Sequence, residues 1–326
     1  MRIKKSVLGL LDHEVARLEK EGRLSRRSKI LATRNSMASF LKEQGVEDVK
    51  AKELDKELLN NYEKWLQGKG LKPNSSAFYL RMLQAVLNSA VREGLIRGKA
   101  DINAAFSDVT THPSEMMQAS VIRPEAFIAL RHLDIGACLA KAGKDVDDAA
   151  TSRMKVKMET VRDLFVFSFA AQGMDFGDLC YLRKADVSGG QISYVRKSSG
   201  QPVTVPVRPV MQEIMDRYPS DGPYLFPLLT AGTDEEAYKQ YKRWQKDDIR
   251  LLKVLGQWLP DQVTLLPSTA RETWTAEAYR NLMPLEDIAR ALGLRDDTAV
   301  AVYLRKFDFG PSDDLKRQVV ERFFGG

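Results

Sequence analysis

Read by the spacing of its apolar residues, the chain is helical almost throughout, with one interruption. From Ser36 the period is close to that of an α-helix. Residues 51–67 put Leu54, Leu58, Tyr62, Trp65 and Leu66 on one face, and Gly68 and Gly70 end the run. Pro73-Asn74-Ser75 opens the next helix, 76–93, with Tyr79, Leu83, Val86, Leu87 and Ala90 inward and Gly94 as the stop. Residues 107–122 are polar and irregular and read as a linker between domains. Pro124 starts a further helix, and the charged stretch 142–157 reads as a surface loop or insertion.

In the second half, 161–172 is an apolar helix stopped by Gly173, and another begins at Phe176. Then the period changes to two. Residues 191–196 and 202–207 alternate as strands around Ser198-Ser199-Gly200, a β-hairpin with Arg196 and Lys197 beside its turn. Helical spacing returns over 209–217, 234–256, 268–280, 284–292, 297–306 and 313–324. The pattern predicts a mainly α protein with a small antiparallel β-sheet: an all-α domain over 35–106, a linker over 107–122, and a larger domain over 123–326. There is no internal repeat and no low-complexity block.

Composition narrows the chemistry. With 326 residues, 44% of them hydrophobic, the chain has material for two packed cores. No apolar run is long enough to span a membrane, and 1–45 lacks the apolar core of a secretory signal, so a cytoplasmic location is expected. Cys138 and Cys180 are too few for a disulfide scaffold or a cysteine zinc cluster. His13, His112 and His132 all precede residue 133, which excludes a Ser-His-Asp triad or a histidine metal site in the C-terminal half. Chemistry there must rest on Arg, Lys, Tyr, carboxylates or hydroxyls. Residues 1–34 hold ten basic against four acidic side chains, an excess equal to the +6 of the whole chain. That reads as a basic N-terminal arm facing a polyanion, or else as a solvated helix face.

Four segments then carry a resemblance. AFYLRMLQAVLNSAVREGLI (77–96), VRDLFVFSFAAQGMDFGDLCYLRKADV (161–187), STARETW (268–274) and ALGLRDDTAVAVYLRKFD (291–308) are similar, in order and spacing, to the tyrosine recombinase (phage integrase) family. The wording RDLFVFSFAAQGMDFGDL and YVRKSSGQ is closest to integrases of Bacteroides-type mobile elements. The likeness covers about 30 to 324 and implies a helical core-binding domain followed by a catalytic domain, closed on duplex DNA like a C. It also implies a homo-tetramer on two DNA sites, possible accessory DNA-bending proteins, and no metal or other cofactor. The helix 314–324 would dock on a neighbouring copy or pack on its own domain.

The resemblance makes Tyr303 the nucleophile, Arg271 a phosphate ligand and Lys197 the hairpin general acid, or Ser198 if the register shifts by one. Read alone, Tyr303 is a tyrosine packed among Val300 and Val302, Arg271 pairs with the adjacent Glu272, and Lys197 is a solvated turn residue. Phosphate contacts are expected from Lys4, Lys5, Lys69, Lys72, Arg81, Arg92 and Arg196. The departures are as informative. Asp175 stands where the family has its first arginine, Ser268 and Glu272 stand where it has or favours histidine, and Leu294 replaces a histidine or tryptophan. Each lost transition-state donor costs about 10²–10³ in rate, unless Arg183, Arg196 or Arg295 moves in. Two further readings follow: a recombinase-fold protein that binds DNA without cutting it, and a helix-turn-helix regulator built on 284–307.

Overall fold

The computed structural model describes residues 5–107, 109, 118–145, 147–230 and 232–307. Lys4 and the expected 313–324 helix lie outside the described residues. The chain divides into two compact units, 1–116 and 117–326.

The first unit is all helical: α1 (Val7–Lys20), α2 (Leu24–Glu43), α3 (Lys56–Gly68), α4 (Pro73–Arg92) and α5 (Lys99–Ala105). Val7, Leu10, Leu11 and Leu18 of α1 are buried with Ile30, Met37 and Phe40 of α2, Tyr62 of α3 and Leu83 and Leu87 of α4. The expected arm is therefore corrected from Val7 onward. Burying one such side chain contributes about 1.5–3 kcal/mol, so α1 and α2 are integral to the core. Three of their arginines are paired as well: Arg17 meets Glu14 at 2.7 Å and Glu21 at 2.6 Å, Arg27 meets Glu19 at 3.1 Å, and Arg34 meets Asp12 at 2.8 Å. The helix expected over 51–67 begins only at Lys56, because Asp55 accepts the Leu58 N–H at 2.8 Å and caps it. Residues Ala51–Glu53 form one separate 3₁₀ turn.

The second unit runs α6 (Pro124–Arg131), α7 (Ile135–Lys141), α8 (Ala149–Ala170), α9 (Phe176–Tyr181), β1 (Val187–Ser188), β2 (Gln191–Val195) and β3 (Pro202–Pro206). It continues with α10 (Pro209–Arg217), α11 (Asp234–Gln257), α12 (Pro267–Arg280), α13 (Leu285–Leu292) and α14 (Asp297–Leu304). Helix α8 is its spine and packs against α6, α7, α10, α11 and α12. Val161, Leu164, Phe165, Val166 and Phe167 are all buried, the signature of a helix enclosed on every side. It starts inside the stretch expected to be a loop, because Asp148 caps it by accepting the Ala150 and Thr151 N–H groups at 2.9 and 3.0 Å. The helix expected at 161 therefore begins at Ala149.

The sheet is antiparallel in the order β1-β2-β3. Ile192 faces Val205 and Tyr194 faces Val203 across the hairpin, and Ile192, Val203 and Val205 are buried. On the outer face the Ser193 and Thr204 hydroxyls meet at 3.1 Å. Helices α13 and α14 build a small separate core from Ala278, Ile288, Leu292 and Val300, with Leu294 and Tyr303 packed on it.

One carboxyl is out of place in this fold. Asp248 of α11 is 2% exposed and its Oδ2 has no hydrogen-bond partner. Burial pushes its titration from the ordinary 3.8 up to about 8. The folded protein keeps a proton that the unfolded chain releases, so stability falls as pH rises from about 4 to about 8. Asp248→Asn is expected to raise the unfolding free energy by about 1–3 kcal/mol at pH 8, with a gain that grows between pH 5 and pH 8. A gain independent of pH in a denaturation series would contradict this.

Candidate active site

Arg271, on the first turns of α12, is 4% exposed and is held by backbone. Its Nη1 donates to the Gly173 carbonyl at 2.9 Å and its Nη2 to the Leu292 carbonyl at 2.6 Å. Both carbonyls are delivered by left-handed chain reversals. Gln172 and Gly173, at φ 59° and 75°, turn the chain out of α8, and Gly293, at φ 58°, ends α13. A Cβ on Gly173 would lie 2.7 Å from the Arg271 Cα, so glycine is required there by space as well as by φ. The alternative pairing of Arg271 with Glu272 does not occur. The Glu272 carboxylate instead accepts from Lys306 Nζ and from the Ser120 N–H, each at 2.8 Å.

The turn of the β2–β3 hairpin docks on the same place. Ser199 Oγ donates to the Gly293 carbonyl at 2.7 Å, and a Cβ on Gly293 would meet Val203 at 2.6 Å. This docking carries Arg196 to Asp175: Nη2 and Nε donate to one carboxylate oxygen at 2.7 and 3.1 Å. Arg271 Nε lies 3.9 Å from the other oxygen. Asp175 is thus flanked by two guanidinium groups, and the trio keeps a net positive charge. Of Arg183, Arg196 and Arg295, Arg196 is the one whose guanidinium lies against Asp175. Arg183 stacks over Tyr224 and Arg295 is exposed.

Tyr303 sits half-buried on α14 between two cations. The Arg271 Cζ is 5.9 Å and the Lys306 Nζ 4.2 Å from its ring centroid, and the Phe307 ring is 5.8 Å away. Burial raises its phenol above the ordinary value, while Lys306 and Arg271 pull it back down. Lys197 stands apart from this group. Its backbone N–H donates to Asp178 Oδ1 at 2.9 Å, and its ammonium lies 3.7 Å over the Tyr181 ring. Burial lowers its pKa and pushes the Asp178 carboxyl up to about 6. Ser268 is exposed on the first turn of α12, and Leu294 fills the small core beside Tyr303. Sequence reasoning missed Lys306, although it lies three residues, one helical turn, after Tyr303.

The expected phosphate contacts of the first unit are scattered in character. Lys5, Lys72 and Arg92 are exposed and Arg81 is half-buried. Lys69 is engaged by Glu43 at 3.1 Å and lies 5.3 Å over the Trp65 ring. Among the described residues there is no metal-ligating cluster and no helix long and apolar enough to cross a membrane.

Residues 6–103 match the phage integrase SAM-like domain. That match begins at α1, in keeping with the place of α1 in the core. No curated protein matches the sequence. Among solved structures, the chain is similar to the Tn1549 transposon integrase in complex with a circular intermediate DNA, at 14% identity and TM-score 0.60, covering 98% of this chain and 99% of that one. It is also similar to the lambda integrase tetramer bound to a Holliday junction, at 14% identity and TM-score 0.52, covering 93% and 77%. The chain therefore has the fold of the tyrosine-recombinase integrases, mainly helical with one small antiparallel sheet. That fold gives the hairpin and the SAM-like domain a place, which the helix-turn-helix reading of 284–307 does not.

Gly173→Ala tests the anchoring of Arg271. The methyl clashes with Arg271 and the φ is unfavourable, so a loss of about 1–3 kcal/mol of unfolding free energy is expected. A neutral substitution in chemical denaturation would show that Arg271 is not held against this turn.

Proposed function

We propose that this protein is a site-specific DNA integrase that breaks and rejoins duplex DNA through Tyr303. The observation that carries the reading is the convergence of Tyr303, Arg271 and Arg196 around Asp175. A phosphodiester in reach of Tyr303 would meet guanidinium groups from two elements, α12 and the hairpin turn. The Tyr303 Oη attacks phosphorus, the Oη–P bond forms as the P–O5′ bond breaks, and a 3′-phosphotyrosyl link results. One phosphoester replaces another, so neither a metal nor a nucleotide is needed. The phenol gives up its proton and the departing 5′ oxygen takes one up. By the resemblance, Lys197 would supply the latter once its ammonium leaves the Tyr181 ring, and its lowered pKa would ease proton release. Arg271 and Arg196 offset the charge that builds on the non-bridging oxygens.

Integrases of this fold are seen on DNA, one as a tetramer on a Holliday junction. By analogy this protein would assemble as a homo-tetramer on two duplex sites in the cytoplasm, with DNA-bending partners where the sites require them. The element type suggested by its wording is a Bacteroides-type mobile element. Lys5, Lys72, Arg81 and Arg92 would position the duplex, with Lys69 contributing once released from Glu43.

A second reading, DNA binding without cleavage, is favoured by two observations. Both Nη groups of Arg271 are engaged by backbone carbonyls, and burial disfavours the Tyr303 phenolate. A covalent-trapping assay on nicked duplexes separates the readings. The integrase reading expects an SDS-resistant adduct with wild type and none with Tyr303→Phe, while both bind in native gels. Binding with no adduct from wild type supports the second reading. Replacing Lys72 and Arg92 by Gln is expected to weaken binding alike across sequences. It should also lower the salt slope by about 0.9 for each lost phosphate contact. An unchanged slope removes these two residues from the interface.

A further inference from the structure

Glu272 and Lys306 lie outside every role assigned above, yet both bear on Tyr303. Glu272 follows Arg271 on α12, and its side chain is 8% exposed. Its two carboxylate oxygens go to different places. Oε1 accepts from Lys306 Nζ and Oε2 from the backbone N–H of Ser120, each at 2.8 Å. Lys306 is held a second time, because its carbonyl accepts the Ala119 N–H at 2.8 Å. The segment 118–122 is fixed further by the Ser120 hydroxyl on the Thr264 carbonyl at 3.0 Å and by the Ile122 N–H on the Thr273 hydroxyl at 3.2 Å. One buried carboxylate thus joins three things: α12, the segment by which the chain enters the second unit, and the residue one turn past Tyr303.

We propose that Glu272 and Lys306 form a positioning pair, in which Glu272 fixes the Lys306 ammonium against the Tyr303 ring and ties α14 to segment 118–122. The proposal rests on the reading of Tyr303 as the nucleophile for its consequence, but not for its geometry. A fixed cation 4.2 Å from the ring centroid favours the phenolate over the phenol and limits how far the ring can swing. The groups facing Tyr303 are Lys306 from its own segment, Arg271 and Glu272 from α12, and Asp175 at the start of α9. Glu272 by itself disfavours the phenolate. Its presence beside a nucleophile makes physical sense if its main work is to hold Lys306. The family position it occupies is commonly histidine, so the pair replaces one side chain by two that are joined through space.

The test uses the full chain with 3,5-difluorotyrosine at position 303, whose phenol titrates at a pH where proteins stay folded, read by fluorine NMR. Lys306→Met is expected to move the titration up by about one pH unit, and Lys306→Arg to leave it close to wild type. Glu272→Gln decides the role of the carboxylate. If Glu272 holds Lys306, its loss leaves the titration unchanged or moves it up. If Glu272 is only a nearby negative charge, its loss moves the titration down, and that result overturns the proposal. In parallel, adduct formation by unlabelled protein on a nicked duplex is followed against pH. Lys306→Met is expected to slow it about 10–100-fold with the rising limb moved to higher pH, and Lys306→Arg to restore both. Should wild type form no adduct while the titrations move as expected, the nucleophile reading fails and the positioning pair stands. Should wild type form an adduct that Lys306→Met neither slows nor shifts, with an unmoved titration, the pair fails and the nucleophile reading stands.

Discussion

The second unit depends on one buried guanidinium. Arg271 donates to the Gly173 carbonyl in the turn after α8 and to the last carbonyl of α13, so a single side chain fixes both segments against α12. A buried cation without partners costs several kcal/mol, and two such carbonyls without donors cost more. The arrangement satisfies all three groups together. It also explains the two left-handed glycines, since Gly173 and Gly293 turn the chain where those carbonyls must face inward. The hairpin docks on Gly293, α9 starts beyond Gly173, and α14 packs on the end of α13. Every candidate residue around Tyr303 is therefore placed with reference to Arg271.

This constraint recasts Asp175. Alone, a carboxylate at this position would repel a phosphate. Here it is flanked by Arg271 and is hydrogen-bonded to Arg196, a side chain only 11% exposed. Asp175 at the start of α9 and Arg196 at the hairpin turn together hold a guanidinium beside Arg271. The cost is competition, because Arg196 must share its donors between Asp175 and an incoming phosphate. Glu272 and Lys306 form a second carboxylate–cation pair beside Tyr303. Two carboxylate–cation pairs, Asp175–Arg196 and Glu272–Lys306, thus border the site.

Much of the fold was legible in the sequence. The hairpin and the helices after Pro209 fall within a residue or two of their expected bounds as far as Leu304, because proline and threonine starts, glycine stops and clear periodicity agree there. The N-terminal arm was misread because charge was counted along the chain. Glu14, Glu21, Glu19 and Asp12 pair with Arg17, Arg27 and Arg34 within the helix pair, and the apolar stripe of α1 is the stronger signal. The stretch 142–157 was misread because Asp148, a side-chain cap, outweighs the charged composition after it. Around the candidate site, motif order pointed to Tyr303 and Arg271, which the fold brings together. The pairs Asp175–Arg196 and Glu272–Lys306 could not be read, since hairpin docking and the α12–α14 arrangement bring together residues 21 and 34 positions apart. Lys197 follows from the resemblance alone, and its contacts with Asp178 and Tyr181 are beyond the reach of pattern.

The central claim is that Arg196 serves as the second guanidinium of a phosphate site shared with Arg271 and Tyr303. A crystal structure of the protein on a nicked duplex tests it most directly. The account predicts Arg196 and Arg271 both within hydrogen-bond distance of the scissile phosphate, Tyr303 Oη facing phosphorus, and Asp175 still bonded to the far side of Arg196. A phosphate bound elsewhere, with Arg196 given wholly to Asp175 and Tyr303 away from the backbone, would contradict it.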